Sequence, residues 1–431
     1  MSEAIDSAFI RRAVEAADLD ALRAALLQAT SDPELEALGP VPTLEPDDLE
    51  RLKARMASLI ESSWQGFPKD APSDEEVRRL MDLVLGEPTK DAHFEVRKKM
   101  LAFEPFPFRH SRASRPLDVP DEFRVAIVGA GPAGIAAAVQ LEHLGIPYVI
   151  YERRDEVGGT WSRNTYPDIR VDTLSITYEF TFDEQYPWSE YFARGGEVRA
   201  YLEYMARKHG VYDHIQFERA VERAAWDETS SSWQLELTNS KGNTEQAQFA
   251  VIITASGLFA NARYPDIPGI DSFRGEIVHP TEWPRDLDVR GKRVAVVGNG
   301  STGVQLLAPV AEKAAHVSVF QRTPQWISPR PHYGEAVEPE VRWLFDHVPG
   351  YWNWCRYTSM ISLFNWHDEY LTPDPEWVAQ GGTITKKLEE LRDFMVGYIH
   401  EQVGDRPDPV SYTHLRAHET NDLISYAVFC L

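Results

Sequence analysis

Cysteine is nearly absent: Cys355 and Cys430 are the only two in 431 residues. They lie far apart, which excludes a disulfide framework, a cysteine-based metal centre and a redox dithiol, and suits a reducing compartment. Long apolar runs are missing too. The longest apolar-rich stretch, VAIVGAGPAGIAAAV, is broken by Gly and Pro and is too short to span a bilayer. The N-terminal MSEAIDSAFIRRAVEAADLD is acidic and amphipathic and has no signal-peptide core. Basic charge is scarce, with 44 Lys and Arg against 67 Asp and Glu and a formal charge of −23. That balance argues against a general binder of nucleic acid or anionic membranes. It leaves room for a local basic pocket that takes a phosphorylated cofactor. A soluble cytoplasmic protein is the expectation, with no metal site.

What is present is a chain long enough for two to four domains and a large core. Residues 1–115 read as a helical extension. FIRRAVEAADLDALRAALLQ and DDLERLKARMASLIESSW carry apolar residues at helical spacing, and no catalytic motif appears among them. An accessory or oligomerisation role is expected there, a homodimer included. FEPFPFRHSRASRPLDVPDEF then reads as an extended linker. From Arg124 the pattern changes. RVAIVGAGPAGIAAAVQLEHLGIPYVIYER is a strand, a Gly-rich turn, a helix and a strand, and KRVAVVGNGSTGVQLLAPVAEKAAHVSVFQR repeats that plan. The predicted class is α/β, with two Rossmann-like dinucleotide-binding domains after the helical extension. The first spans 116–286 and the second 287–409. The second carries a helical insertion that includes YWNWCRYTSMISLFNW. WQLELTNS and AQFAVIITASG read as strands between the two turns.

Gly129, Gly131 and Gly134 form G-x-G-x-x-G in the first turn. The first Gly permits the tight turn, the second lets a pyrophosphate approach the backbone, and the third allows close helix–strand packing. Glu152 ends the next strand, where a carboxylate accepts from ribose hydroxyls and repels a 2′-phosphate. The first site therefore favours FAD or NAD over NADP. Gly298, Gly300 and Gly303 repeat the spacing, with Ser301 and Thr302 opening the helix. The strand after them ends in Gln321-Arg322-Thr323 without an acid. Arg322 and Thr323 suit a 2′-phosphate, so the second site favours NADP. One ADP-type cofactor of each kind suggests FAD with NADP(H). Reduced flavin would pass electrons to a disulfide, to another carrier or to O2, and the lack of a cysteine pair favours O2.

Between the turns stands FRGEIVHPTEWP. Phe273, Gly275, His279, Trp283 and Pro284 match F-x-G-x-x-x-H-x-x-x-W-P, which resembles the fingerprint of Baeyer–Villiger monooxygenases. EVGGTWSRNTYPDIRVDT, with Gly158, Gly159, Thr160 and Trp161, resembles that family's loop beside the flavin. PDIPGIDSFRGE and VFQRTPQW agree with it. The helical extension resembles the subgroup that includes hydroxyacetophenone monooxygenase. The resemblance runs from about Arg124 to at least Pro331. It implies an FAD- and NADPH-dependent enzyme that uses O2, through a flavin peroxide, to insert oxygen beside a ketone carbonyl. It also implies that Asp172 orients a cationic Arg at the reaction centre, and that the fingerprint is a hinge where His279 couples the two cofactor domains by hydrogen bonding. The family's active-site Arg has no counterpart here, and Arg170 does not take its role. An N- or S-oxygenating flavin monooxygenase and a catalytically inactive fragment are the alternative readings. The final VSYTHLRAHETNDLISYAVFCL, within 410–431, follows neither period and resembles translated sequencing-adapter sequence. The expectation is a non-native tail, with the genuine chain stopping near Pro409 and a native C-terminal part missing.

Overall fold

The computed structural model describes residues 6–104, 117–120, 122–183, 185–259, 261–322, 325–326, 329–366 and 370–404. The expected tail, and most of the expected linker, lie outside these. Six helices come first: α1 (Ser7–Ala16), α2 (Leu19–Thr30), α3 (Pro33–Ala37), α4 (Pro46–Ser63), α5 (Asp74–Leu85) and α6 (Asp91–Leu101). β1 (Val125–Val128), α7 (Pro132–Leu144), β2 (Tyr148–Tyr151), α8 (Thr160–Arg163) and α9 (Gly195–Lys208) follow. Next come β3 (Ile215–Gln216), β4 (Arg219–Asp227), β5 (Ser232–Asn239), β6 (Thr244–Phe249) and β7 (Val251–Thr254). β8 (Arg293–Val297), α10 (Ser301–Ala311) and β9 (His316–Phe320) make the second β–α–β unit. α11 (Pro339–His347), α12 (Tyr351–Trp366), α13 (Pro375–Ala379) and α14 (Lys386–Val403) end the described chain. None of the described helices is long and apolar enough to cross a membrane.

The chain divides into two compact units. One draws its described residues from Met1–Phe106, Thr173–Phe192 and Trp326–Phe429, and the other from Pro107–Asp172 and Ala193–Gln325. The first is helical. The single amphipathic run read at the N-terminus breaks in two because Asp18 caps α2, accepting from the Ala21 N–H at 3.0 Å. Segments over three hundred positions downstream share its core: Leu344, Tyr351, Trp354 and Tyr357 are buried with Leu22, Leu26, Leu52 and Met56. The Trp354 indole donates to Gln28 at 3.1 Å, and the Thr358 hydroxyl donates to Asp18 at 2.6 Å. Burial raises the Asp18 carboxyl above its ordinary range, opposed by that bond.

The second unit holds a four-stranded sheet in the order β3-β2-β1-β7, every pairing parallel. An antiparallel sheet, β4-β5-β6, packs beside it through Leu235, Leu237 and Phe249. The stretch AQFAVIITASG, read as one strand, serves both sheets. It breaks at Ala250, whose N–H turns to the Arg124 carbonyl at 3.0 Å. β8 and β9 pair in parallel, with α10 as their crossover. Both Gly-rich turns therefore lie in β–α–β units on parallel strands, the α/β class expected.

Arg23 is the one charged side chain deep in α2, 1% exposed. Its guanidinium donates to the Leu35 carbonyl at 2.9 and 2.7 Å, to Gly39 at 2.6 Å, and to Leu38. Leu35 and Leu38 are among the carbonyls that α3 leaves unpaired at its C-terminal end, and Gly39 lies just beyond it. Arg23→Met keeps the apolar stem and strands those acceptors. It is expected to cost at least about 2 kcal/mol in denaturant unfolding followed by helical circular dichroism. A loss below about 0.5 kcal/mol, the usual range of an inert surface change, contradicts this role.

Candidate functional site

Gly129 follows β1 with φ +107°, and a Cβ there would lie 2.6 Å from the Ala255 carbonyl oxygen. A Cβ on Gly134 would lie 1.9 Å from the Gly129 carbonyl oxygen, so the helix packs onto the turn only without one. Gly131 is the N-cap of α7 and supplies no side-chain cap, which leaves the first N–H groups of the helix for a ligand. Glu152 follows β2 and is 6% exposed. One carboxylate oxygen accepts from the Ala130 N–H at 2.8 Å and the other from the Arg154 N–H at 3.0 Å. Glu152 thus braces the turn itself, and each oxygen keeps a lone pair for a hydroxyl. The Gly158 N–H donates to the Ala130 carbonyl at 3.1 Å. A Cβ on Gly159 would come within 2.9 Å of the Gly131 Cα, so the two backbones touch. Thr160 and the half-buried Trp161 open α8 from there.

The second turn repeats this geometry. Gly298 has the same φ, +107°, and a Cβ on Gly303 would lie 2.6 Å from the Gly298 carbonyl oxygen. Gly300 caps α10 with no side-chain bond, Ser301 and Thr302 begin the helix, and the space beside Gly300 is open. After β9, Gln321 accepts from the Asn299 side-chain amide at 2.7 Å, and Arg322 is exposed. Thr323 lies outside the described residues.

Asp172 is half-buried, and one of its oxygens accepts from Gln305 at 2.7 Å. Gln305, on the buried face of α10, also donates to the Arg170 carbonyl at 3.1 Å and accepts from the Tyr166 hydroxyl at 3.0 Å. Burial, first of all, raises the Tyr166 phenol, while a bond to Thr302 works against it. The Arg170 guanidinium is buried on Asp168.

In the fingerprint segment, Phe273 is exposed and its ring folds over Gly275, where a Cβ would come within 2.6 Å of a ring carbon. His279 caps the turn Pro280–Glu282: its Nδ1 is 2.8 Å from the Thr281 hydroxyl and accepts from the Thr281 N–H at 3.3 Å. Contacts leave the segment at several places: Glu276 pairs with Lys292 at 3.7 Å, and the His279 ring meets Tyr264 edge-on. The Trp283 carbonyl, next to Pro284, accepts from the Thr165 hydroxyl at 3.1 Å, and Glu282 pairs with Arg163 at 3.5 Å. The Trp283 ring joins a cluster with Tyr166, Leu306 and Val310.

Sequence reasoning missed Gln305, Tyr166 and Arg163. The available signal was a lone amide on the otherwise apolar face Gln305, Leu306, Val310. Elsewhere, His332, Glu335 and Glu338 bring ligand atoms within 4.8 Å of one another. Hydrogen bonds account for that group, from His332 to Glu335 at 2.9 Å and from the Tyr191 hydroxyl to Glu338 at 2.7 Å.

Residues 122–335 match the family model described as flavin-binding monooxygenase-like. An uncharacterized monooxygenase of Sinorhizobium fredii is 31% identical over 79% of this chain and 50% of its own length. A Baeyer–Villiger monooxygenase of Streptomyces coelicolor is 37% identical over 54% of this chain and 43% of its own. The solved structure of OTEMO with FAD and NADP aligns at a TM-score of 0.53 and 29% identity, covering 67% of this chain and 59% of that one. The chain spans about half the length of the curated relatives it matches.

Two glycine positions of these turns differ in what one added methyl would do. Gly134→Ala is expected to unfold the parallel-sheet unit or shift its melting by many degrees, because the clash is with backbone. Gly300→Ala, at φ −70° with open space around it, should stay within about 0.5 kcal/mol of the parent. Thermal scans of both variants check this, and equal stability of the two would contradict the packing described.

Proposed function

We propose, from the match of residues 122–335 to the flavin-binding monooxygenase-like family model, that the chain serves a flavoprotein monooxygenase of the Baeyer–Villiger type. FAD lies at the first turn and NADP(H) at the second, and the substrate is a small ketone that becomes an ester or lactone. The observation that carries this reading is a contrast between two turns of one geometry. The first is followed by the buried carboxylate Glu152, the second by Gln321 and the exposed Arg322. The residues fit both groups: each turn presents a helix N-terminus with no side-chain cap, Gly131 adds no side chain there, and the space beside Gly300 is open. Bound FAD would supply the redox chemistry, accepting a hydride from NADPH and passing two electrons to O2.

This chain's own residues bind and orient. Glu152 holds the Ala130 amide and offers its remaining lone pairs to a ribose diol. Arg322 pairs with a 2′-phosphate, together with Thr323. Asp172, fixed by Gln305, orients positive charge where an oxyanion forms. The fingerprint from Phe273 to Pro284 lies between the turns, and Trp283 fixes its end. A Baeyer–Villiger reading also fits the relatives of that name.

Arg322→Ala should weaken NADPH about 10- to 150-fold in flavin-reduction assays and leave NADH nearly unchanged. Equal losses for both would contradict the 2′-phosphate contact. In a full-length protein that carries the family's active-site Arg, Asp172→Ala should leave FAD content unaltered, while the ester formed per NADPH falls and hydrogen peroxide rises. Chromatography of ketone products beside NADPH and peroxide consumption reads this. A purified chain that takes up no FAD, or that oxygenates sulfides and amines but no ketone, would overturn the proposal.

A further inference from the structure

A cleft of about 500 Å3 lies in the parallel-sheet unit, and neither Gly-rich turn lines it. Arg153, Arg154, Arg163 and Arg285 all face into it, against the single carboxylate of Glu282. Such a gathering is at odds with the chain as a whole, where acids outnumber bases by 67 to 44. Like charges brought together repel one another unless an anion lies among them. Arg163 pairs with Glu282 across the cleft at 3.5 Å. Arg153 reaches the neutral Asn261 side chain at 3.2 Å. The Arg154 Nε–H is buried and has no acceptor. Burial, and then the neighbouring Arg153 and Arg154, pull the Arg163 guanidinium below its ordinary range, with Glu282 opposing.

We propose that this cleft is a binding site for a small phosphate-bearing anion, separate from the two dinucleotide turns. Guanidinium forks pair two-pronged with phosphate oxygens, and several arranged around one volume suit a pyrophosphate or a phosphate ester better than a lone carboxylate. The hydroxyls of Ser162, Thr165 and Thr281 also border the cleft and add neutral donors. Trp283 gives it one aromatic wall. The ligand would join three pieces of chain: the residues after β2, the end of α8, and the end of the fingerprint segment at Arg285. Occupancy would therefore hold the fingerprint segment against the loop that follows Glu152.

The same phosphate chemistry could come from a free anion or from a bound dinucleotide, and the experiment separates them. The full chain is saturated with FAD and then titrated calorimetrically with inorganic pyrophosphate at constant ionic strength, with and without NADP+. One pyrophosphate should bind per chain in both arms. Arg163→Gln and Arg285→Gln should each weaken it at least tenfold. Arg290→Gln, an exposed arginine paired with Asp288 and outside the cleft, should leave it unchanged. Arg285 is exposed, so its variant keeps the fold even if Arg163→Gln does not. Loss of pyrophosphate binding on adding FAD or NADP+ would overturn the inference, because the cleft would then belong to a cofactor. Equal affinity in Arg285→Gln and the parent would overturn it as well. Pyrophosphate binding by a chain that takes up no FAD would support it while contradicting the cofactor proposal.

Discussion

The carboxamide of Gln305 is buried on α10 and must find its partners inside the protein. It finds all of them on one short segment: its nitrogen donates to Arg170 and Asp172, and its oxygen accepts from Tyr166 and, at 3.4 Å, from the Arg170 N–H. That uses every donor and acceptor a primary amide has. The helix of the second turn is thereby tied to the loop that leaves the first. Losing the amide would leave a phenol, a carbonyl and a carboxylate short of a partner together, which makes the arrangement all-or-none. The Trp283 ring, packed with Tyr166 and Leu306, adds apolar area at the same place.

Around that tie, absent atoms matter as much as present ones. Gly134 and Gly303 let each helix sit against its own turn, since any side chain would meet a backbone carbonyl. Gly131 and Gly159 bring two backbones together where the first helix begins. The helix N-termini there have glycine N-caps and no side-chain cap, a lack they share with α4, α6, α8, α9 and α11. Charge separates the two turns. The first turn ends on a buried carboxylate and the second on an exposed guanidinium, although Gly129 and Gly298 share a φ of +107°.

Both turns were legible because they are local: glycine spacing, strand periodicity and the residue ending the second strand all fall within about thirty positions. The split of the first amphipathic run was legible in principle, since Asp18 is a standard cap. The break at Ala250 was not, because AQFAVIITASG has one uninterrupted apolar pattern and only tertiary pairing divides it. The placing of Trp354 and Tyr357 among the N-terminal helices depends on contacts over three hundred residues apart, which no window of sequence contains. Gln305 was passed over for the same reason, since its partners are 133 to 139 positions away. Glu282 and Trp283 bond to Arg163 and Thr165, and Gln305 to residues 166–172. The His279 ring bonds within its own turn, to Thr281, and meets the Tyr264 ring edge-on.

The tie at Gln305 is tested most directly by amide hydrogen exchange in Gln305→Leu, a change close in volume that removes only the polar groups. Removing the hydrogen bonds to Tyr166, Arg170 and Asp172 together should cost at least about 1.4 kcal/mol locally, or a tenfold loss of protection. Exchange should therefore quicken at least tenfold over residues 166–172 and 301–311, while α7 keeps its parental rate. Parental protection in both segments would show that apolar packing alone holds the two turns together, and would contradict the account.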